Sequence, residues 1–301
     1  MGSDRPDFEQ HRPHLLRVGY RITGSIADAE DAVQDAWLRF ATRTDAEVTE
    51  LREPRAWLTT VVARICLDRL RSAASRRERY VGPWLPEPLL TTGDPDDPLA
   101  AVVRDDGVRM AAMVVLEQLS PPQRVALVLH EALDVPFGQI AEVLGCTVTA
   151  ARQHASRARR IVAAADPPPR ARDEQQRELL DRFAAAVSRG DGPALLAVLH
   201  PDVAWVADTD GRTRAARQVV RGVDKVSRLA LGLLKRYGDA LTSGWDPVGV
   251  NGELGFRTPP ISDTDAGVTV CAVRDGRIVA IYQMFNPEKL EPGTPHRSPG
   301  R

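Results

Sequence analysis

From Phe8 to Tyr80 apolar residues recur three and four positions apart, a spacing that predicts helices throughout. Gly24-Ser25 separates the first two. Ser25, with Asp28 three residues on, predicts an N-cap for a helix running through Phe40. Pro54 stands in the first turn of a further helix, Arg55 to Leu70, where a missing N–H costs nothing. Between Val81 and Asp97 the pattern collapses. Gly82, Pro83, Pro86, Pro88, Gly93 and Pro95 are too many breakers for a helix, and alternating apolar residues are too few for strands, so a tether is expected. Helical periodicity returns from Ala100, and Leu119-Ser120-Pro121-Pro122-Gln123 predicts a helix start with a capping box. Asp166-Pro-Pro-Pro-Arg170 is stiff and marks a second boundary.

The last third changes character. One amphipathic helix (Leu179, Leu180, Phe183, Val187) precedes segments that alternate or run β-branched: Val203–Ala207, Val248–Phe256 and Val268–Val273. Asp275-Gly276 predicts a tight hairpin turn between Val268–Val273 and Ile278–Phe285. The expected architecture is multidomain: two all-α domains followed by a distinct α+β domain.

Composition narrows the function classes. The 301-residue chain carries 40 Lys and Arg against 41 Asp and Glu, so net charge does not announce a nucleic-acid protein and the placement of arginines must decide. Cys66, Cys146 and Cys271 are odd in number and widely spaced, which argues against a disulfide framework and a zinc site. The N-terminus lacks the apolar core of a signal peptide, and no run approaches the roughly 20 apolar residues that span a bilayer. A soluble, cytoplasmic protein with no membrane partner is expected. No Walker loop, His-Glu-x-x-His or nucleophile elbow is present, and no metal, cofactor or catalytic residue is predicted.

Two short helical patterns separated by Gly145, the first within Phe137–Thr147 and the second in the stretch Ala150–Ile161, predict a helix-turn-helix. Val148, Ala151, Ala155 and Ala158 are expected to face inward, leaving Thr149, Arg152, Gln153, Ser156, Arg157 and Arg160 outward. Arg can bind guanine O6 and N7 bidentately and Gln adenine N6 and N7; the alternative is a solvated basic face. In the earlier helix, Val33, Ala36, Trp37 and Phe40 form an apolar stripe while Asp31, Gln34 and Asp35 share a polar face. Carboxylates repel DNA phosphate, so that face suits a basic protein surface, unless it is an ordinary solvated one. Arg64, Arg69, Arg71, Arg76, Arg77 and Arg79, with Trp57 near the helix start, suit a surface that holds a DNA backbone and stacks on an unpaired base; Trp57 in the core is the competing reading.

Asp-Ala-Val-Gln-Asp-Ala-Trp-Leu-Arg (31–39), Pro-Arg-Ala-Trp-Leu-Thr-Thr-Val-Val-Ala-Arg (54–64) and the stretch from Leu119-Ser-Pro-Pro-Gln-Arg to Arg157-Ala-Arg-Arg resemble regions 2 and 4 of extracytoplasmic-function (ECF) RNA polymerase sigma factors. Trp84-Leu-Pro-Glu-Pro88, Val250-Asn-Gly-Glu-Leu-Gly255 and Asn286-Pro-Glu-Lys-Leu290 resemble the sigma-J-like group, which carries a fused SnoaL-like (NTF2-like) domain, a cone with a pocket. The resemblance implies region 2 over 1–80, a Pro-rich linker over 81–107, region 4 over 108–165, a SnoaL-like regulatory domain over 174–291 and a disordered tail over 292–301. It implies RNA polymerase core (β′ clamp helices, β flap) and promoter DNA as partners. Asp31, Gln34 and Asp35 match the positions that grip β′. Thr60 and Arg64, with the loop about Arg43–Glu50, match the −10 reading and strand-opening surface, to which Trp57 and Arg69 are joined. Arg152, Gln153, Ser156, Arg157 and Arg160 are placed on the −35 element. Trp84, Pro86, Glu87, Asp208, Arg212 and Asn286 are expected to be regulatory, through contact of the C-terminal domain with the linker or the sigma domains. Where many relatives carry Asp-Gly-Gly-Gly-Lys, this chain has Asp208-Thr-Asp-Gly-Arg212 and loses two glycines.

His200, Asp202, Asp208, Asp210, Tyr237 and Tyr282 are candidate polar pocket residues of the C-terminal domain. A catalytic acid/base pair among them would have to lie within hydrogen-bond reach. Two rival readings are a ligand-sensing helix-turn-helix regulator acting without sigma function, and a fusion retaining a small-molecule enzyme activity.

Overall fold

The computed structural model describes residues 8–51, 53–77, 80–91, 99–213 and 215–290. Arg79, the linker residues 92–98 and the segment 292–301 lie outside the described residues, as do the side chains of Arg76 and Arg77. The chain divides into two compact units, Met1–Glu78 with Ala112–Pro167, and Arg79–Ala111 with Pro168–Arg301.

The first unit opens with α1 (Arg12–Thr23), α2 (Ile26–Ala41), α3 (Asp45–Thr49) and α4 (Pro54–Arg77). The Asp28 N–H donates to the Ser25 hydroxyl at 3.2 Å, the cap expected from sequence. At Gly19 a Cβ would stand 2.9 Å from the Ala29 Cβ, so only glycine lets α1 and α2 cross this closely. Ile26, Ala29, Ala32, Val33, Ala36 and Phe40 are the buried face of α2. Trp37, expected in that stripe, is 44% exposed and its neighbour Leu38 is 48% exposed. The reason is angular: Trp37 lies on the edge of the stripe, about 40° beyond Val33 on the side away from Ala36. The presumed loop after α2 also contains α3, closed by a capping box in which the Thr44 N–H donates to Glu47 at 2.8 Å and the Glu47 N–H to the Thr44 hydroxyl at 3.3 Å.

The same unit resumes at Ala112, within α5 (Met110–Leu116), and continues with α6 (Pro121–Leu133), α7 (Phe137–Leu144) and α8 (Val148–Ala165). The Ser120 N–H donates to the Gln123 side chain at 3.0 Å, so α6 starts where the sequence predicts. Gly145 has φ 66°, a left-handed bend that a β-carbon would strain, and it turns α7 into α8. Arg124 on α6 is almost wholly buried. Its guanidinium donates to the carbonyls of Leu116 (2.9 Å) and Ile22 (3.0 Å) and pairs with Glu117 at 2.9 Å.

The second unit is α+β. Helices α9 (Asp173–Arg189), α10 (Gly192–Val198) and α11 (Val223–Tyr237) pack with a seven-stranded sheet: β1 (Leu90–Thr91), β2 (Leu199–Asp208), β3 (Val220–Arg221), β4 (Asp246–Val250), β5 (Glu253–Thr258), β6 (Gly267–Arg274) and β7 (Arg277–Met284). The spatial order is β1-β4-β5-β6-β7-β2-β3, antiparallel except for β2 beside β7. Leu179, Phe183, Val187, Leu195, Val226 and Ile281 centre its core. The β6–β7 hairpin closes at Asp275 and Gly276, as expected. Val248–Phe256, anticipated as one segment, is two strands, because Asn251 (φ 53°) and Gly252 (φ 77°) make a two-residue hairpin turn.

Glu253, directly after that turn, is 5% exposed. Burial lifts its carboxyl to about pH 7, against the pull of Arg109 and Arg170. A raised carboxylate means the folded chain holds this proton more tightly than the unfolded one. The group therefore costs stability progressively from about pH 4.5 to pH 7, and fully above, by about 3 kcal/mol. Glu253→Gln is expected to remove this share of the pH dependence and to stabilise the protein more at pH 8 than at pH 5. Chemical unfolding at the two values measures it.

Candidate functional site

The second helix of the helix-turn-helix presents the side chains expected of a DNA reader. Thr147 caps α8 by accepting the Ala150 N–H at 3.1 Å. Ala151, Ala155 and Ala158 are fully buried, and Arg152, Gln153, Ser156, Arg157, Arg159 and Arg160 are exposed. Val148 is the exception to the predicted inward face: at 40% exposure it sits at the helix's first position, ahead of the packed turns. Arg159 pairs with Glu131 at 3.6 Å, and the Arg152 guanidinium lies 5.7 Å from the Phe137 ring centroid. The other arginines project with no ion pair among the described residues, a positive face free for phosphate or base edges.

On the region 2 side, Asp31 and Gln34 are exposed and Asp35 is half-exposed on α2. Arg69 of α4, grouped with the DNA-contacting residues on sequence, instead faces these acids. It pairs with Asp28 (3.1 Å), Asp31 (3.0 Å) and Asp35 (3.6 Å). Burial works against its charge, but the hydrogen bonds to Asp31 and Asp28 outweigh burial and hold its pKa above the ordinary value. The pairing is set by α2 and α4 lying side by side, 38 residues apart in sequence at Asp31, and periodicity within one helix cannot reveal it. An open groove of about 320 Å³ runs beside these residues, lined by Asp28, Asp35, Arg39, Asp68 and Arg69.

Trp57 is half-buried, 6.3 Å from Phe40 between ring centroids and covered by Arg43 at 4.5 Å. This arrangement combines the two sequence readings: one face packs and the other carries a cation. Thr60 donates its hydroxyl to the Ala56 carbonyl at 3.0 Å, within α4. Arg64, exposed, donates to the Glu142 carbonyl of α7 at 3.2 Å. Beside Arg55, His14 is lowered to about pH 4 by burial and then by Arg55 itself, so its ring is neutral at physiological pH, accepting from Arg55 at Nδ1 (3.0 Å).

The linker is fastened within the second unit. Leu85 and Leu89 are fully buried, Pro86 is buried, and Trp84 and Glu87 are half-buried, so this part of the expected tether is packed. The centre is Asp208, with no solvent exposure, at the end of β2. Its carboxylate accepts the Leu85 N–H (2.7 Å), the Tyr80 hydroxyl and the Lys289 ammonium (2.7 Å). Lys289 also donates to the Leu85 carbonyl at 2.6 Å and stands 3.2 Å from the Trp84 ring centroid. The Asn286 amide donates to the Tyr80 oxygen at 3.0 Å. Burial and then the Asp208 charge push the Tyr80 phenol far above its ordinary pKa, so it is a donor here. Asp210 (φ 49°) and Gly211 (φ 70°) supply the following turn, and Arg212 pairs with Glu288 at half-exposed positions. Aspartate tolerates the left-handed region, so the turn forms without the two missing glycines.

A second anchor lies at Asn251. It accepts the Leu89 N–H (3.0 Å) and donates to the Val108 carbonyl (2.6 Å), while Leu90 and Thr91 pair with Val250 and Gly249 of β4. Tyr80, Lys289 and Asn251 were absent from the sequence-derived site. Lys289 and Asn251 sat inside its quoted motifs, and that placement was the available signal. The pocket candidates do not converge: Asp208 is spent on the linker, Asp202 is exposed beside His200, Tyr282 packs near Ala111, Ala272 and Ala280, and Tyr237 alone lines a cavity with Trp205.

The acidic helix face and the left-handed turn into an arginine-faced helix fall in the two segments that match sigma-70 families, which places the chain among the sigma-70-type transcription factors. Sigma-70 region 2 matches residues 8–76 and sigma-70 region 4 matches residues 109–162. The chain is 48% identical to the ECF RNA polymerase sigma factor SigJ of Mycobacterium tuberculosis (strain ATCC 25618 / H37Rv), over 94% of this chain and 92% of that protein. The crystal structure of M. tuberculosis SigJ superposes with a TM-score of 0.80 at 46% identity, covering 94% of this chain and 96% of that one. This chain belongs to the ECF RNA polymerase sigma factors. Among the described residues no helix is long and apolar enough to cross a membrane.

Proposed function

We propose that this sigma factor docks on the β′ clamp helices of core polymerase through Asp31, Gln34 and Asp35, with the exposed Trp37 and Leu38 as the apolar centre of that surface. Residues 37 and 38 follow Gln34 at helical spacing, and an exposed tryptophan ringed by polar groups is the usual anatomy of a binding hot spot. Thr60, Arg64 and Trp57 then face the −10 element, and Arg152, Gln153, Ser156, Arg157 and Arg160 face the −35 element, with the β flap receiving region 4. The observation that carries this reading is the separation of an acidic face on α2 from an arginine face on α8 within one unit.

The same geometry supports control in cis. The −10 and −35 elements are about 25 base pairs apart, on the order of 80 Å at ~3.4 Å per base pair. Yet Arg64 of the −10 surface bonds directly to α7, so region 4 must part from region 2 before both elements are read. A free linker the length of 81–107 reaches roughly 90 Å when extended. With Tyr80 to Thr91 laid on the C-terminal unit, that reach is cut, and opening requires the linker to come off Asp208 and Asn251. The C-terminal domain thus shifts the population able to bind promoter and core. A regulatory rather than enzymatic role fits, as does a cytoplasmic site of action.

Core capture and run-off transcription with Asp31→Lys/Asp35→Lys test the docking. The double variant is expected to lose core association and transcript by at least roughly tenfold, with its circular dichroism unchanged. A helix-turn-helix regulator lacking sigma function would instead keep binding duplex operator without polymerase, and that result would overturn the proposal.

A further inference from the structure

In the second unit a cavity of about 70 Å³ lies between α11 and the sheet, walled by Trp205, Leu233, Trp245, Thr258, Gln283 and Phe285. A deeper void of about 30 Å³ shares Trp205, Leu233, Trp245 and Gln283 with it and reaches Phe183 and Phe256. No wall residue of either void carries a charge at neutral pH. An ionic ligand would therefore lose its hydration with nothing to compensate.

Most polar groups in the wall are already occupied. The Trp205 indole N–H donates to the Gln283 carbonyl oxygen at 2.6 Å, and the Gln283 amide donates to Thr269 at 3.3 Å. The Tyr237 hydroxyl donates to Asp263 at 3.0 Å. Two groups are not: the Trp245 indole N–H and the Thr258 hydroxyl are both buried and neither has a hydrogen-bond partner. Thr258 is 8% exposed, and Trp245 is held flat on Phe256, ring centroids 4.2 Å apart and 13° between planes. Buried polar groups are ordinarily satisfied, so two unpartnered ones on residues of one apolar cavity wall mark where a ligand's polar atom belongs.

We infer that this cavity is a receptor site for a small uncharged ring compound bearing one hydroxyl or carbonyl oxygen, with Trp245 and Thr258 meeting the oxygen. Voids of about 70 and 30 Å³ fall short of the about 150 Å³ that holds benzene, so a single ring enters only as Leu241 in the 3₁₀ turn Gly238–Leu241 gives way, and a polycycle is rejected. This site is independent of the polymerase and promoter surfaces. It needs no assumption about them.

The test is calorimetric titration of the full chain with p-cresol, its isostere p-xylene and the anion p-toluate. Saturable binding of p-cresol, roughly tenfold tighter than p-xylene, with p-toluate excluded, is the expected pattern. Thr258→Val, which keeps shape and removes the orphan hydroxyl, is expected to narrow the cresol preference severalfold without lowering the melting temperature. Failure of p-cresol to saturate in the millimolar range means the orphans are met by water and the proposal is wrong. Equal affinity for cresol and xylene, binding of toluate, or a preference unmoved by Thr258→Val overturns it as well.

Discussion

Asp208→Ala is expected to lower the stability of the C-terminal unit by about 3–5 kcal/mol, the cost of breaking a buried ion pair by removing one partner. Asp208 has no solvent exposure and Lys289 retains only 6%. Without the carboxylate, the ammonium loses its buried counter-charge while still facing the Leu85 carbonyl and the Trp84 and Tyr80 rings, and the Leu85 N–H loses its acceptor. Asp208→Ala/Lys289→Met removes the stranded charge together with its partner, and most of the loss should return. The linker behaves differently, because Leu85 lacks its acceptor in both variants. Chymotryptic cleavage after Leu89, fully buried in the native protein, should rise about 100-fold or more in the single variant, where opening is fast relative to cutting. It should stay elevated in the double variant even after the melting temperature recovers. If cleavage follows stability alone, Asp208 does not fasten the linker.

What was legible in the sequence follows from how far each signal reaches. Caps and turns are local: Ser25, Ser120, Gly145 and Asp275-Gly276 each act within four residues, and each stands where expected. A helix face is legible to within one position, which is why Ala151, Ala155 and Ala158 are inward as predicted while Trp37 and Val148, at the edge or start of a stripe, are not. The linker had no period to read. Leu85 and Leu89 are buried because Asp208 and Asn251, more than a hundred residues away, accept their N–H groups. Nothing within a Pro-rich segment encodes a partner so distant. Arg69 is the same case on a smaller scale, since its basic neighbours suggest DNA while its partners lie on another helix. The motifs quoted from the family did mark Asn251 and Lys289, but only three-dimensional proximity gave them a shared task.

Arg124 makes the second large effect. It is expected to separate folding from opening. Its guanidinium serves region 4 through Leu116 and Glu117 and region 2 through the Ile22 carbonyl. Arg124→Ala removes one partner of Glu117, which is 11% exposed, and the donor to two buried carbonyls, for a loss of about 3 kcal/mol. Arg124→Lys is the sharper probe. Glu117 and Ile22 are both held by one guanidinium nitrogen, Nη1, and a lysine ammonium stops one bond short of it. The Glu117 side chain can follow the ammonium but the backbone carbonyl of Ile22 cannot, so Ile22 is the bond surrendered, at about 1–2 kcal/mol. That loss falls on the contact between regions 2 and 4. Arg124→Lys should therefore remain folded yet open more readily, raising the rate of core association about tenfold, since 1.4 kcal/mol is a factor of ten in the open population. Small-angle scattering of the free protein and stopped-flow association with core polymerase measure the two halves of this expectation. A variant that melts earlier without expanding or binding faster would mean that Arg124 braces region 4 alone, and that the closed contact rests on Arg64 and its bond to α7.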